Sequence, residues 1–141
     1  MYYFYNYRII FRVRYLEEII IENEAIGQIR AKLLKEKNPK TCQAMWDSLP
    51  LDLTLSRWGE ELYGAIPVKI TEENSQLECE VGDIGYWMQG SGFCIFFGKT
   101  PVSSSEKPKA ASEVNIFAHI EGDSSIFKQF TSFKGKVIKG E

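Results

Sequence analysis

Two stretches of the 141-residue chain decide its fold: LPLDLTLSRWGEELYGAIPVKI at residues 49–70 and VGDIGYWMQGSGFCIFFGKTP at residues 81–101. In the first stretch, apolar and polar residues alternate over residues 51–56, and a period of two is typical of a half-buried strand. In the second stretch, a Gly-Ser-Gly sequence at residues 90–92 predicts a hairpin turn between two further strands. Both stretches therefore favour short strands joined by tight turns.

The remainder of the chain adds more short strands and two short helices. Asn38-Pro39 predicts a helix start, because Asn can accept hydrogen bonds from the first turn and Pro has no N–H to leave unpaired. From Cys42, apolar residues at helical spacing form one face of this helix, which the next proline ends. Asp123 or Ser124 is a candidate cap for a second short helix. The strand candidates are residues 19–21, 29–33, 51–55, 66–70, 77–81, 84–88, 93–98, 114–120 and 134–138.

One long loop is predicted for residues 99–112, which are rich in Ser, Pro and Lys. Many short strands and two short helices in one small domain indicate either a closed barrel or a sandwich. The pattern alone does not choose between these two architectures.

The first 25 residues are interpreted as an N-terminal addition to this domain. Aromatic or aliphatic residues occupy every second position from Tyr3 to Tyr15, which predicts a long half-buried strand. Its aromatic start is a candidate pairing surface, and so a candidate homo-oligomer interface. Three arginines within residues 8–14 would share the other face of this strand, which we interpret as a solvated outer face.

Composition argues against several classes of function. A formal net charge of −2 is unfavourable for a dedicated nucleic-acid binder, which needs a concentrated basic surface. The three cysteines lack C-x-x-C spacing and His119 is the single histidine, so the sequence predicts neither disulfides nor a metal site, and it indicates no cofactor. No apolar run approaches the ~20 residues of a membrane helix, and the N-terminus lacks the apolar core of a signal peptide. We therefore expect a cytoplasmic protein that binds neither nucleic acid nor membrane.

The two quoted stretches, followed by ASEVNIFAHIEGD at residues 111–123, resemble the small stand-alone cyclophilin-like proteins of bacteria and archaea. The motifs that carry the resemblance are Arg57-Trp58-Gly59, Tyr63-Gly64, Pro67, Gly82-Asp83, Tyr86-Trp87, Phe96-Phe97-Gly98 and Thr100-Pro101. The resemblance covers roughly residues 26–139 and implies a mainly β, single cyclophilin-like domain, with a closed β-barrel and two short helices. It does not imply the activity of the peptidyl-prolyl isomerases, because the stand-alone family has no settled biochemical function.

The chain departs from the usual family pattern at one turn. Relatives tend to have Trp-Pro-Pro-Gly where this chain has WMQG at residues 87–90. Gln89 and Phe93 are instead similar to the Gln-Gly-Gly-x-Phe stretch of true cyclophilins, in which the Gln and the Phe line the proline pocket. The catalytic Arg of true cyclophilins corresponds to a place near Val81, where this chain has none.

Arg57 is the best candidate for a catalytic cation. Prolyl isomerisation needs an apolar pocket for the ring and a cation that donates to the amide, because this weakens the C–N resonance as the bond twists. Alternatively, Arg57 is a rim residue that pairs with Glu60 or Glu61 or stacks on a neighbouring ring. The candidate ligand-binding residues around it are Trp58, Tyr63, Tyr86, Gln89, Phe93, Phe97, Asn115 and His119.

Two of these candidates are polar residues within a predicted strand. Asn115 lies in an apolar run, where it either bonds a ligand or ties down a loop. His119 is a candidate acid–base group, because the charge of a histidine can change near neutral pH. The alternative is that His119 is a structural residue. No Ser or Cys lies beside His119 in the sequence, so a hydrolytic triad has no support.

The sequence leaves three functions open. The first is a binding module that takes a peptide or a small molecule in a shallow pocket near Arg57 and the loop at residues 99–112. The second is a weak prolyl isomerase that uses Arg57 and an aromatic pocket. The third is a structural or oligomerisation role for the aromatic strand at residues 3–15.

Overall fold

The computed structural model describes residues 17–140 of the chain. The strand and the homo-oligomer surface predicted for residues 3–15 lie outside the described residues. The helices are the α-helix α1 (Pro39–Ser48) and two 3₁₀ helices, Met88–Gly90 and Ser124–Gln129. The strands are β1 (Glu18–Asn23), β2 (Gly27–Leu33), β3 (Leu51–Trp58), β4 (Glu61–Ala65), β5 (Gln76–Glu78), β6 (Asp83–Trp87), β7 (Gly92–Phe96), β8 (Lys109–Ile120) and β9 (Ser132–Lys139).

Eight of these strands close into an antiparallel barrel. They follow the order β2-β1-β9-β3-β4-β7-β6-β8, and the pairing of β2 with β8 closes the ring. The short strand β5 pairs with the N-terminal half of β8, beyond the ring. The closed barrel implied by the family resemblance is therefore confirmed, and the sandwich alternative is wrong.

One apolar core fills the interior of the barrel, as the period of two in the sequence predicts. In β3, Leu51, Leu53 and Leu55 are buried in this core, while the polar residues between them are exposed. The helix α1 packs Cys42 and Met45 against the same core. This inner core positions the strands on which the candidate site is built.

A second, smaller apolar cluster lies on the outer face of the barrel wall. In β7, Phe93 and Ile95 belong to the inner core, whereas Cys94 and Phe96 belong to this outer cluster. The other buried members of the outer cluster are Cys79, Ala110, Val114 and Ile116. The wall formed by β7 is therefore buried on both sides, and the outer cluster forms the floor beneath the candidate site.

Residues 66–70 do not form the strand that the sequence predicts. Pro67 has no N–H to donate to a strand ladder. The segment is instead held by Tyr86, whose hydroxyl donates to Val68 O at 2.6 Å and accepts from the Ile70 N–H at 3.3 Å. A buried tyrosine thus replaces strand pairing here.

Other boundaries also differ from the sequence prediction. β4 is not among the predicted strands, because its first residue is acidic and a glycine interrupts its pattern. β8 begins at Lys109, so the loop predicted for residues 99–112 is shorter. The second helix is a 3₁₀ helix, and the side chain of Asp123 caps it by accepting from the Ser125 N–H at 2.9 Å. None of the helices in residues 17–140 is long and apolar enough to cross a membrane.

Candidate functional site

A cavity of about 250 Å³ opens on the outer face of the barrel, above the outer cluster. We term it the outer pocket, and the residues that line it are Trp58, Glu61, Tyr63, Trp87, Cys94, Ala110, Ala111 and Val114. Its wall is mostly aromatic and small apolar side chains, with one carboxyl group among them. Two other depressions, one beside the β1–β2 turn and one beside Gly98, are more open and have more charged side chains in their walls.

The β3–β4 hairpin brings the first residues of the outer pocket together. Trp58 and Glu61 are paired in register at the end of the hairpin, and Gly59 between them has a φ of +60°. A Cβ at Gly59 would lie 2.7 Å from Cδ of Pro101, so only glycine lets this turn lie against the loop between β7 and β8. Because residues two apart on a strand share a face, Tyr63 follows Glu61 into the pocket.

Trp87, at the end of β6, supplies a third aromatic wall. Its ring meets the ring of Tyr63 edge to face, with centroids 6.2 Å apart and an interplanar angle of 89°. The indole Nε1–H donates to Ser112 Oγ at 2.5 Å, and the Ser112 hydroxyl donates to Gln89 Oε1 at 2.7 Å. This chain of hydrogen bonds fixes the orientation of the indole without a ligand.

Glu61 supplies the carboxyl group of the outer pocket. The residue is only 5% exposed, and its Oε1 has no hydrogen-bond partner among the residues that the structure describes. Burial raises the pKa of the Glu61 carboxyl to about 7, although the Cys94 thiol beside it acts in the opposite direction. Because a buried polar atom without a partner is unfavourable, Oε1 is the chemically incomplete atom of the site.

The thiols near Glu61 do not supply a nucleophile. Burial raises the pKa of Cys94 well above its ordinary value and the pKa of Cys79 to about 12, and the charge of Glu61 adds to both shifts. The thiolate, rather than the thiol, is the reactive form and the metal ligand. Cys94 therefore acts as a neutral part of the pocket wall.

Arg57 does not line the outer pocket. Its Nε–H donates to Gly59 O at 2.8 Å, while Nη1 donates to Lys128 O at 2.7 Å and to Phe130 O at 3.1 Å. The guanidinium also lies over the ring of Phe97, with its Cζ 5.2 Å from the ring centroid. Of the alternatives that the sequence leaves open, a rim residue stacked on a neighbouring ring agrees with these contacts.

Asn115 ties a loop to the barrel. Its buried Nδ2 donates to Thr41 Oγ1 and to Thr71 O, each at 3.0 Å, and its Oδ1 accepts from the Glu73 N–H at 3.1 Å. The partners of Asn115 lie on α1 and in the loop before β5, whereas those of Arg57 lie in the β3–β4 turn and at the end of the second 3₁₀ helix, so the two side chains share no partner. The structure does not bring these two predicted site residues together.

The other predicted site residues divide between the outer pocket and the rest of the barrel. Trp58 and Tyr63 line the pocket, and Gln89 supports its wall through Ser112. His119 is outside the pocket, with Nδ1 2.8 Å from Oδ1 of Asp83. The predicted residues that lie in the inner core are Tyr86, Phe93 and Phe97.

Sequence reasoning missed Glu61, Trp87 and Cys94 as pocket residues. The alternation of β7 could have indicated that Cys94 lies on the face opposite to Phe93. No comparable signal exists for Glu61, because an acidic residue beside a hairpin turn is expected to face water.

The described residues 17–140 contain no group of three or more His, Cys, Asp or Glu side chains that could hold a metal ion. The outer pocket itself offers one carboxyl group, a neutral thiol and three aromatic side chains.

Comparisons with known proteins agree with this architecture. A family model described as cyclophilin-like matches residues 17–139, so the match includes β1 and begins before the boundary at residue 26 expected from the sequence. The solution structure of a hypothetical protein from Archaeoglobus fulgidus is similar, with 32% sequence identity and a TM-score of 0.74. That match covers 88% of this chain and 95% of the archaeal chain.

A second solved structure shares the fold alone. The structure of McbB in complex with tryptophan is 14% identical, with a TM-score of 0.64, and the match covers 87% of this chain and 45% of McbB. No curated protein matches the chain.

Proposed function

The chain belongs to the cyclophilin-like family, and from this premise we propose that it is a binding module whose ligand, a small molecule or a peptide side chain, occupies the outer pocket. The observation that carries the proposal is a cavity of about 250 Å³ with three aromatic walls, one of which is held in place by hydrogen bonds. Binding sites for small molecules are concave, mostly apolar and largely preformed, with a few polar groups that orient the ligand. The outer pocket has each of these features.

The size of the outer pocket restricts what it can hold. Sites for drug-sized ligands measure about 300–1,000 Å³. A cavity of about 250 Å³ suits a smaller body, such as one aromatic ring or a short alkyl chain that carries one polar group. A peptide could place a single side chain there, but a longer segment would extend beyond the pocket.

The residues that prolyl isomerisation would need are already engaged in contacts within the chain. These contacts favour binding without turnover. Two nitrogens of Arg57 already donate to backbone carbonyls. Phe93 is buried in the inner core, and Gln89 is bonded to Ser112 beside the outer pocket. A proline ring could therefore not contact the fully buried Phe93, and Arg57 and Gln89 are already hydrogen-bonded within the chain.

Ligand screening with a blocked variant tests the proposal. Ala111 is an exposed residue of the pocket wall, so Ala111→Phe is expected to fill the pocket while leaving the core intact. Ala25→Phe, at an exposed position in the β1–β2 turn, is the matched control. A library of small aromatic and alkyl compounds is screened by thermal shift and by the fluorescence of the pocket tryptophans.

Compounds that bind the unmodified chain and Ala25→Phe, but not Ala111→Phe, are the expected result. At about 100 times its Kd, such a compound raises the free energy of unfolding by about 2.7 kcal/mol. The proposal fails if no compound binds, or if every compound binds Ala111→Phe as tightly as the unmodified chain.

A further inference from the structure

The outer pocket contains one group that its surroundings leave incomplete. Oε1 of Glu61 is buried and has no hydrogen-bond donor in the described part of the chain. Glu61 also takes part in none of the salt bridges of residues 17–140. Buried carboxylates are normally paired with a cation or with N–H donors. A ligand that donates an N–H would supply the missing partner.

The aromatic walls favour a particular charge on that ligand. Trp58, Tyr63 and Trp87 line the same cavity as Glu61. The face of an aromatic ring attracts a cation placed within about 6 Å of the ring centroid, and Trp does so most strongly. Three aromatic side chains and a carboxyl group around one small cavity therefore match a cation and disfavour an anion.

We infer that the outer pocket binds a small protonated organic amine, with Glu61 accepting an N–H from the ammonium group and the aromatic walls surrounding its substituents. This inference rests on the proposed function, since it names the class of ligand that the same pocket takes. The amine keeps at least one N–H, because a quaternary ammonium would satisfy the aromatic rings but not Oε1 of Glu61. Its apolar part contacts the small side chains of Ala110 and Val114.

None of the groups that face Glu61 carries a positive charge, so within residues 17–140 its carboxylate has no counter-ion. These groups are the thiols of Cys94 on β7 and Cys79 after β5, and the phenol of Tyr63 on its own strand. Both thiols remain neutral, because burial raises the pKa of Cys79 to about 12 and that of Cys94 well above its ordinary value. The pKa of Glu61 is about 7. Its ionised fraction therefore rises from about one eleventh at pH 6 to about ten elevenths at pH 8.

Benzylamine and benzyl alcohol test the inference, because these probes share a ring and differ in the charged group. Each is titrated into the full chain at pH 6 and at pH 8, and binding is followed by tryptophan fluorescence and by calorimetry. An alkylammonium group stays protonated over this range, as that of lysine does. We expect benzylamine to bind about tenfold more tightly at pH 8 than at pH 6, in proportion to the ionised fraction of Glu61. Benzyl alcohol should show no such increase.

Glu61→Gln and Glu60→Gln form a matched pair of variants. Glu60 is the preceding residue, and its side chain faces Lys128 rather than the outer pocket. We expect Glu61→Gln to lose both the preference for benzylamine and its pH dependence, and Glu60→Gln to keep both. Glutamine preserves the size of the buried side chain, and the pH titration of the unmodified chain tests the inference without any variant.

The outcomes distinguish this inference from the proposed function. If benzyl alcohol binds as tightly as benzylamine at pH 8, and both are lost in Ala111→Phe, the inference is overturned and the proposed function stands. The same holds if only neutral or anionic library compounds bind in the pocket. Benzylamine binding that persists in Ala111→Phe, or that does not change with pH, also overturns the inference. If neither the probes nor any library compound binds, both proposals fail.

Discussion

The Cζ atom of Arg57 lies 5.2 Å from the centroid of the Phe97 ring, so the guanidinium is stacked on an aromatic side chain of the inner core. The same guanidinium donates to the carbonyls of Gly59, Lys128 and Phe130. Two of these carbonyls belong to the end of the second 3₁₀ helix and the residue after it. Arg57 thus fastens that segment to the β3–β4 hairpin, which is a structural role.

We expect Arg57→Ala to lower the free energy of unfolding by about 1–3 kcal/mol, because it removes hydrogen bonds from a charged donor to three carbonyls. Arg57→Lys keeps the charge but lacks the planar fork of donors, so it should recover only part of the loss. Urea unfolding of the three proteins measures the difference. The structural role is contradicted if the unmodified chain speeds cis/trans exchange of an Xaa-Pro peptide and a folded Arg57→Ala variant does not.

Burial of Glu61 makes stability depend on pH. Its pKa is about 7 in the folded chain against an ordinary value of 4.5, so the folded state holds a proton that the unfolded state releases between these values. The contribution of the protonated Glu61 carboxyl to the free energy of unfolding is complete below pH 4.5 and is lost as the pH rises through 7. The difference between the pKa of Glu61 in the folded chain and its ordinary value corresponds to about 3 kcal/mol of unfolding free energy.

Chemical unfolding from pH 4.5 to pH 8 measures this loss. We expect Glu61→Gln to remove most of the decrease and to be more stable than the unmodified chain at pH 8, since it has no buried charge. Glu60→Gln should retain the decrease. If the free energy of unfolding depends on pH in the same way in Glu61→Gln and in the unmodified chain, the pKa of this carboxyl is not raised.

Ser112 holds the indole of Trp87 through a hydrogen bond of 2.5 Å. We expect Ser112→Ala to weaken ligand binding in the outer pocket by about 1 kcal/mol, or roughly fivefold, because the free indole must then be ordered by the ligand. Ser132→Ala, at an exposed position in β9, is the control and should bind normally. Acrylamide quenching of tryptophan fluorescence should increase in Ser112→Ala alone; unchanged quenching and binding would count against a preformed pocket.

The barrel could be predicted from the sequence to a large extent because its strands obey simple alternation. Leu51, Leu53 and Leu55 repeat with a period of two, and each is buried in the inner core. The prediction failed at residues 66–70, where alternation is present but Tyr86 holds the backbone in place of a neighbouring strand. Alternation reports which side chains are buried, and it does not report what their backbone groups bond to.

The candidate site could be predicted only in part, because it depends on which faces of distant strands are covered. Trp58 and Tyr63 are predicted site residues because they lie near Arg57 in the sequence, yet Arg57 does not line their pocket and donates to Lys128 O instead. Phe93 and Cys94 are adjacent in the sequence but belong to opposite faces of the wall. Glu61 is buried because residues distant in the sequence cover the outer face of the wall, and no local sequence pattern predicts this.

Asn115 joins β8 to α1 and to the loop before β5 through three hydrogen bonds. We expect Asn115→Ala to lower the free energy of unfolding by about 2–4 kcal/mol, since it leaves the Glu73 N–H and the Thr71 carbonyl without partners and creates a small cavity. Asn74→Ala is the control in the same loop, because its side chain makes a single exposed hydrogen bond to Lys37 O, and about 1 kcal/mol is expected. Hydrogen exchange of the Glu73 amide should accelerate in Asn115→Ala, because this amide then has no hydrogen bond to Asn115 Oδ1 to protect it. Unchanged exchange, or equal losses in the two variants, would mean that the loop is held by its other contacts and that Asn115 remains available for another role.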